Sequence, residues 1–306
     1  MSALTTNTPL TAERISRLAV ELLARTVVLP RTVTVVPGGE FAGPTGGVVQ
    51  LRVRQPRQSR IQSTPGDTIT FDDLEEASVA VRVNHHYNAS ALSDEDLSLN
   101  LEDFGAQVLE PMVAAVAQGA ENEIAYAMNN LDVDLTISTD GKDIVAKVLA
   151  AREMLGRADV PTGDRWLAVS PEVATMLLGV DKLTAVDASG SPSALRDAVI
   201  GRIYGFNVVE TSALTEFTAV AYHRSAFGAA FRAPAATAGA TSSVASVGGI
   251  SLRTVRSFDV SRLSEMVAVS TFAGAAVVHE DGDHTPLDGG TQRFRAVKLG
   301  PDGGSS

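Results

Sequence analysis

The chain has 306 residues, 44% of them hydrophobic and only 5% aromatic, with no cysteine and a formal net charge of −11. That apolar fraction, mostly Ala, Val and Leu, supports a packed core and excludes global disorder. The missing cysteines exclude disulfides, thiolate metal sites and cysteine nucleophiles and fit a reducing compartment, while the acidity excludes the dominant basic face of a protein that grips nucleic acid.

The first residues are polar and Thr-rich, without the basic-then-apolar pattern of a signal peptide. The longest apolar runs, such as 272–278, fall well short of the roughly 20 residues of a membrane span. A soluble chain made in the cytoplasm, with no membrane partner, is expected. Residues 11–27 place Ile15, Leu18, Ala19, Leu22 and Leu23 at helical spacing, with Thr11 as N-cap and Pro30 as the stop. A Gly/Pro-rich loop follows at 37–47. Residues 48–54 alternate as a strand, Pro65-Gly66-Asp67 marks a turn, and 77–83 alternate again. This two-stranded excursion is marginal alone and must lie against something else.

The longest predicted helix is 97–130, with Leu101, Phe104, Val108, Met112, Ala115 and Val116 on one side. Pro111 predicts a kink or a junction between two helices, and Gly119 weakens the element further. A second amphipathic helix covers 143–157 through Ile144, Val148, Ala151 and Leu155. Arg165 to Val169 reads as a buried strand. Ser170 then serves as N-cap, Pro171 suits the first helical position and Glu172 the positive end of the dipole, giving strand, tight turn, helix. A short helix is predicted at 193–199, strands at 205–209 and 218–222, a helix at 224–231, an Ala/Ser/Thr/Gly linker at 234–249, and strands at 250–260 and 266–278. Beyond 280 the chain is loop-rich, with one strand at 293–299. No repeat of fixed period occurs.

Catalytic motifs are absent: there is no P-loop and no nucleophile elbow, and the Gly-rich stretch 38–47 lacks the strand-then-helix setting of a phosphate cradle. His279, Glu280, Asp281, Asp283 and His284 could ligate a metal, but the two His are spaced so that they do not share a helix face, and Gly282 favours a solvated acidic loop. Asn84-His85-His86-Tyr87 reads as surface polar residues. Asp132 and Asp134 lack the Gly and terminal Glu of a calcium loop. No catalytic residue, cofactor or metal is therefore assigned; a metal-assisted hydrolase using 279–284 is the remote alternative.

Charge is segregated along the chain. Between Arg82 and Lys142 there is no Lys or Arg, while the same stretch holds eleven acids: Asp94, Glu95, Asp96, Glu102, Asp103, Glu110, Glu121, Glu123, Asp132, Asp134 and Asp140. Arg52, Arg54, Arg57 and Arg60 lie in a segment without a single acid. Two solvated surfaces would explain this. The sharper expectation is that the basic arm docks on the acidic helix of a neighbouring copy, with Glu102, Asp103, Glu110, Glu121 and Glu123 as its counterpart. Single exposed pairs contribute only about 0–1 kcal/mol, so their value lies in register and partner choice over many repeated contacts.

In its ordered set of segments the sequence resembles the major capsid (coat) proteins of tailed bacteriophages, in particular actinobacterial ones. The matching stretches are Leu29-Pro30, the arm 48–56 closing through Gly66-Asp67-Thr68-Ile69, the helix with Glu110-Pro111, the run 160–171 (VPTGDRWLAVSP), Ala194-Leu195-Arg196, the run 200–208 (IGRIYGFNV) and Ala226-Phe227. Together they cover roughly residues 10 to 280. The resemblance implies an α+β, tailed-phage coat fold (Hong Kong 97-type): an N-terminal arm (1–37), an extended β-hairpin loop (38–85) lying over the neighbouring subunit, a peripheral domain (86–135 and 240–280) with the long helix, an axial domain (136–239) and a C-terminal tail (281–306). It implies hexamers and pentamers tiling an icosahedral or prolate shell, located in the virion, around double-stranded DNA that is held without sequence-specific binding. Many copies of itself, a scaffolding protein, a portal and a cement protein are the implied partners. Some relatives cross-link a loop Lys to a neighbour's Asn; here the only lysines are Lys142, Lys147, Lys182 and Lys298, none in the loop, so that chemistry is not expected. An encapsulin-type bacterial compartment shell is the alternative within the same fold, and another virion structural protein a further one.

Overall fold

The computed structural model describes residues 27–36, 47–53, 77–93, 105–179, 199–235, 241–247, 250–278 and 295–301, with isolated positions at 61, 62, 66, 68, 69, 71 and 95. The helix predicted at 11–27 falls outside them except for Val27, as do most of the loop at 37–47, residues 193–198 and the 279–284 cluster.

The first sheet is organised by β13 (Ser264–Val277). β4 (Asn84–Ser93) runs antiparallel along one of its edges, from Ser93 opposite Ser264 to Asn84 opposite Ala273. β12 (Ile250–Asp259) and then β10 (Phe227–Arg232) share the other edge end to end, because residues of β13 pair with β4 and with one of these two at once. β11 (Thr241–Val247) extends the sheet beyond β12, and β1 (Thr34–Val36) adds in parallel to β10. The second sheet has the order β5 (Leu135–Ile137), β14 (Ala296–Pro301), β9 (Ala219–His223), β6 (Arg165–Val169), β8 (Phe206–Glu210), β7 (Val199–Ile203).

Helix α1 (Glu110–Asn129) packs on the first sheet. Its stripe of Met112, Val113, Val116, Ile124 and Met128 shares one core with Val267, Val269, Phe227 and Tyr222. Pro111 lies in its first turn, where a missing N–H costs nothing, directly after a single π-helical turn at Gly105–Leu109. Pro111 thus marks a junction. Gly119 has a specific reason: a Cβ there would lie 2.7 Å from His86 Nδ1, so the missing side chain lets β4 approach. Helix α2 (Ile144–Arg157) buries the predicted Ile144, Val148, Ala151 and Leu155 against Leu167, Val169 and Phe206 of the second sheet. Helix α3 (Pro171–Leu178) follows β6 through the predicted tight turn. Ser170 is extended at its N-cap, but its side chain makes no capping hydrogen bond.

Three predicted elements are corrected. Residues 224–231 are not a helix but a 3-10 turn (Arg224–Ala226) leading into β10. Phe227 and Phe231 sit at helical spacing, yet all five residues from Phe227 to Phe231 are buried, and such short apolar runs do not reveal their period. The linker predicted at 234–249 contains β11, whose Ser- and Thr-rich composition suits a strand paired only to β12 among the described residues. Val199, the last residue of the predicted 193–199 helix, opens β7.

The excursion forms a separate two-stranded sheet. β2 (Val48–Val53) pairs with β3 (Ala77–Arg82) from Val48 opposite Arg82 to Val53 opposite Ala77. Its support is the first sheet: Val49, Leu51 and Val81 form a small core with Val36, Ala230 and Val278. Two glycines make room. A Cβ on Gly274 would lie 2.0 Å from the carbonyl oxygen of Arg82, and one on Gly228 would lie 2.3 Å from a methyl of Leu51.

Gly274→Ala should lower the unfolding free energy of the subunit in urea by about 1–3 kcal/mol through this overpacking. Gly156→Ala, in α2 where a Cβ meets nothing within 4 Å, should leave stability unchanged or raise it by up to about 1 kcal/mol.

Candidate assembly surfaces

The shell-forming role that the resemblance implies calls for a rigid interior and for charged or apolar surfaces that reach other copies. α1 supplies the rigid part. Glu121 lies on its apolar stripe and is 8% exposed. Its Oε1 accepts hydrogen bonds from the Leu29 backbone N–H (3.4 Å) and the Thr211 hydroxyl (3.1 Å). Beside it the hydroxyls of Thr32 and Tyr222 are 2.5 Å apart. Burial raises the Glu121 carboxyl above its ordinary range, and its hydrogen bonds oppose that shift; burial also raises the Tyr222 phenol. One buried carboxylate thus ties the segment at 27–36, the middle of α1 and the start of the β8–β9 connection together.

The far end of α1 is held by the second sheet. Lys298 on β14 donates from Nζ to the carbonyls of Asn129 (2.6 Å) and Leu131 (2.9 Å), a cation at the negative end of the helix dipole. Asp134 Oδ2 accepts from the Lys298 N–H at 2.9 Å. Asn129 adds a clamp on the β8–β9 connection: its amide donates to the Ala213 carbonyl (3.2 Å) and its Oδ1 accepts from the Thr215 N–H (3.1 Å). Burial lowers the Lys298 pKa, and burial raises that of Asp134.

The expected contact residues distribute unequally. Arg52 is exposed on β2. Arg54, Arg57, Arg60, Glu102 and Asp103 lie outside the described residues. Glu110 is exposed in the first turn of α1. Glu121 points inward, so it is no surface counterpart for a neighbouring arm. Glu123 is partly buried and already engaged: its Oε1 accepts from Asn84 Nδ2 at 2.9 Å and lies 3.0 Å from His86 Nε2. His86 and His85 are therefore more than surface polar residues. His86 holds β4 to α1, and His85 stacks on Phe272 with ring centroids 4.7 Å apart. The inward turn of Glu121 was readable: it falls four residues after Ala117 and three before Ile124, inside the apolar stripe. Among the described residues no group of three or more potential ligands could hold a metal ion, and no helix is long and apolar enough to cross a membrane.

Glu121 yields a pH prediction. A raised carboxyl pKa contributes stability that is present below the ordinary value of 4.5 and is lost as pH rises through the folded value. Urea midpoints of Glu121→Gln should therefore decline less than those of the unmodified subunit as pH rises from the ordinary carboxyl value of 4.5. An unchanged slope would mean that Glu121 does not titrate in the folded subunit.

Residues 109–245, from the last residue of the π turn into β11, match the family model described as phage capsid protein. No curated protein matches. The fold is similar to that of a structure from Mycobacterium phage Che8 (19% identity, covering 89% of this chain and 90% of that one, TM-score 0.56). It is similar to the capsid structure of the cyanophage P-SCSP1u (14% identity, 90% and 88%, TM-score 0.59). It is also similar to a virus-like particle from Pyrococcus furiosus (9% identity, 94% and 98%, TM-score 0.55). The central segment, 109–245, matches the phage capsid protein family, and the chain as a whole has the tailed-phage coat fold.

Proposed function

We propose that the chain is the major capsid protein of an actinobacterial tailed phage, a structural and non-enzymatic subunit whose copies form hexamers and pentamers of a closed shell around double-stranded DNA. The observation that carries this reading is the capsid-family match at 109–245, which spans α1 to α3 and β5 to β10 and reaches into β11. The net charge of −11 suits a container wall that does not grip its contents. The first sheet with α1 would form the peripheral domain (86–135 and 240–280) and the second sheet the bulk of the axial domain (136–239), with 1–37 as N-terminal arm and 281–306 as tail. β10 and β14 would cross these sequence boundaries, joining the first and second sheets respectively. Scaffolding, portal and cement proteins are the partners this role requires, and the virion its location.

In this reading the hairpin β2–β3 is the root of the extended loop (38–85), and Arg52, Arg54, Arg57 and Arg60 dock on the acidic side of a neighbour. Glu110, with Glu102 and Asp103, is the counterpart that remains after Glu121 and Glu123 are taken up inside the chain.

A compartment shell loaded with protein is the alternative reading within the same fold. Particles from infected cells, purified and analysed for content, separate the two: DNA is expected, and cargo protein without DNA would overturn the proposal. Changing Arg52, Arg54, Arg57 and Arg60 together to Glu should reduce shell yield on sucrose gradients about tenfold or more, while thermal unfolding of the subunit is unchanged. Normal assembly of that variant would remove the arm-to-helix contact. On denaturing gels, mature particles should give this protein as a single band near 31.9 kDa, because no Lys lies in 38–85; a covalent ladder would contradict that.

A further inference from the structure

β9 and β10 carry the chain from the second sheet to the first across the 3-10 turn Arg224–Ala226. This short crossover is fastened to three other parts of the molecule. The Arg224 N–H donates to the Asp164 carbonyl (3.0 Å), just before β6, and the Val278 N–H, just past β13, donates to the Ala226 carbonyl (2.8 Å). Arg224 Nε donates to the Val33 carbonyl (3.2 Å), and the Thr34 hydroxyl donates to the Arg224 carbonyl (3.1 Å). One turn thus ties β6, β13 and the segment 27–36 to the point where the chain changes sheets.

A histidine holds that turn. His223 is extended at its N-cap, and its Nδ1 accepts from the Ser225 N–H at 3.2 Å. A ring nitrogen that accepts carries no proton, so the imidazole is neutral with its hydrogen on Nε2. Arg295 donates from Nη1 to the Ser225 hydroxyl (2.7 Å), which leaves that hydroxyl its own proton to give to Nδ1 at 2.8 Å. The His223 N–H donates to the Arg295 carbonyl (2.9 Å), and Arg165 lies directly opposite His223 across the β6–β9 pair. Arg152 of α2 adds positive charge next to Arg165, and Arg224 follows in the chain. Asp164 is the carboxylate that opposes them. A proton on Nδ1 would set one N–H against another at Ser225 and add a positive charge beside Arg295 and Arg165. Burial lowers the His223 pKa, Arg295 and Arg165 lower it further, and Asp164 acts the other way.

We propose that His223 is a pH-sensitive latch on the crossover between the two sheets: the neutral imidazole holds the turn, and the imidazolium releases it. The latch belongs to the single folded subunit and is independent of the shell-forming role. A histidine whose folded pKa is depressed contributes stability that is present above the ordinary value of 6.5 and is lost as pH falls through the folded value. The loss is local, because the bonds that depend on Nδ1 belong to the turn, whereas the apolar clusters of either sheet do not titrate. What loosens is the link that sets one sheet against the other, and the ties to Asp164, Val33 and Val278 loosen with it.

Hydrogen exchange of the full-length chain, read by mass spectrometry on the peptides that hold Arg224, Ser225 and Val278 and corrected for the intrinsic exchange rate, tests this. Protection should fall as pH drops below 6.5, by up to about tenfold per pH unit until the folded pKa is passed. In His223→Asn the side-chain oxygen stands where Nδ1 stood, still caps the turn and takes up no proton, so protection should match the wild type at high pH and stay level on acidification. A level wild-type profile, or an equal fall in His223→Asn, would overturn the proposal. Two further variants carry the test even where His223→Asn does not fold. Arg295→Gln keeps a donor for the Ser225 hydroxyl but removes its charge, and should move the loss of protection to higher pH. Asp164→Asn keeps the shape at a left-handed position (φ 50°) that Asn tolerates, and should move the loss to lower pH. A midpoint that ignores both charges, or moves the opposite way, would show that His223 is only a structural cap and sink the latch.

Discussion

A buried carboxylate in the middle of the longest helix sets the terms for this fold. Glu121 has too little water to be solvated and must find donors within the protein. It finds them in the Leu29 N–H and the Thr211 hydroxyl, one before the helix in sequence and one far after it. The core around it is apolar and tolerant of shape; the hydrogen bonds are not. They fix where 27–36 crosses α1 and where the β8–β9 connection begins, and through Tyr222 and Thr32 they touch β9 as well. With Lys298 holding the other end, α1 is a rod pinned to both sheets.

That arrangement bears on how an acidic subunit can build a shell. A rod fixed at two points transmits position from one sheet to the other, so surfaces on either sheet keep their mutual orientation. Long-range repulsion between copies is overcome only by local complementarity. In the proposed arm-to-helix contact, arginines before residue 61 would meet acids after residue 93, an attraction of opposite charges that salt weakens.

Much of this architecture was legible in the sequence. The alternation at 48–54 and 77–83, the stripes of α1 and α2, and the strand–turn–helix around Ser170-Pro171 all gave elements where they occur, because each has an unmistakable period or punctuation. β10 was not legible: Phe227-Gly228-Ala229-Ala230-Phe231 has helical spacing and strand burial at once, and only its pairing with β13 and β1 decides. β11 was misread from its Ser and Thr content, although Gly248-Gly249 between Val247 and Ile250 is a two-residue hairpin signal. The run of acids along 83–141 suggests one charged surface, whereas the helical period puts Glu121 inside. The glycines at 228 and 274 could not be interpreted before β2–β3 was placed above them, since a close approach has no signature in a single sequence.

The position of β14 in the second sheet has a consequence for the life of the molecule before assembly. This strand, among the last described residues of the chain, is not added at an edge. It sits between β5 and β9, pairing with both, and its Lys298 covers the carbonyls at the end of α1. On the ribosome, a nascent subunit that has made everything up to Val278 still has β5 without its partner and the rod without its cap. The sheet closes only when residues 296–301 emerge. Chains truncated before that point lack an inner strand and carry an open gap, so only a chain translated through residue 301 can present a closed second sheet to its neighbours.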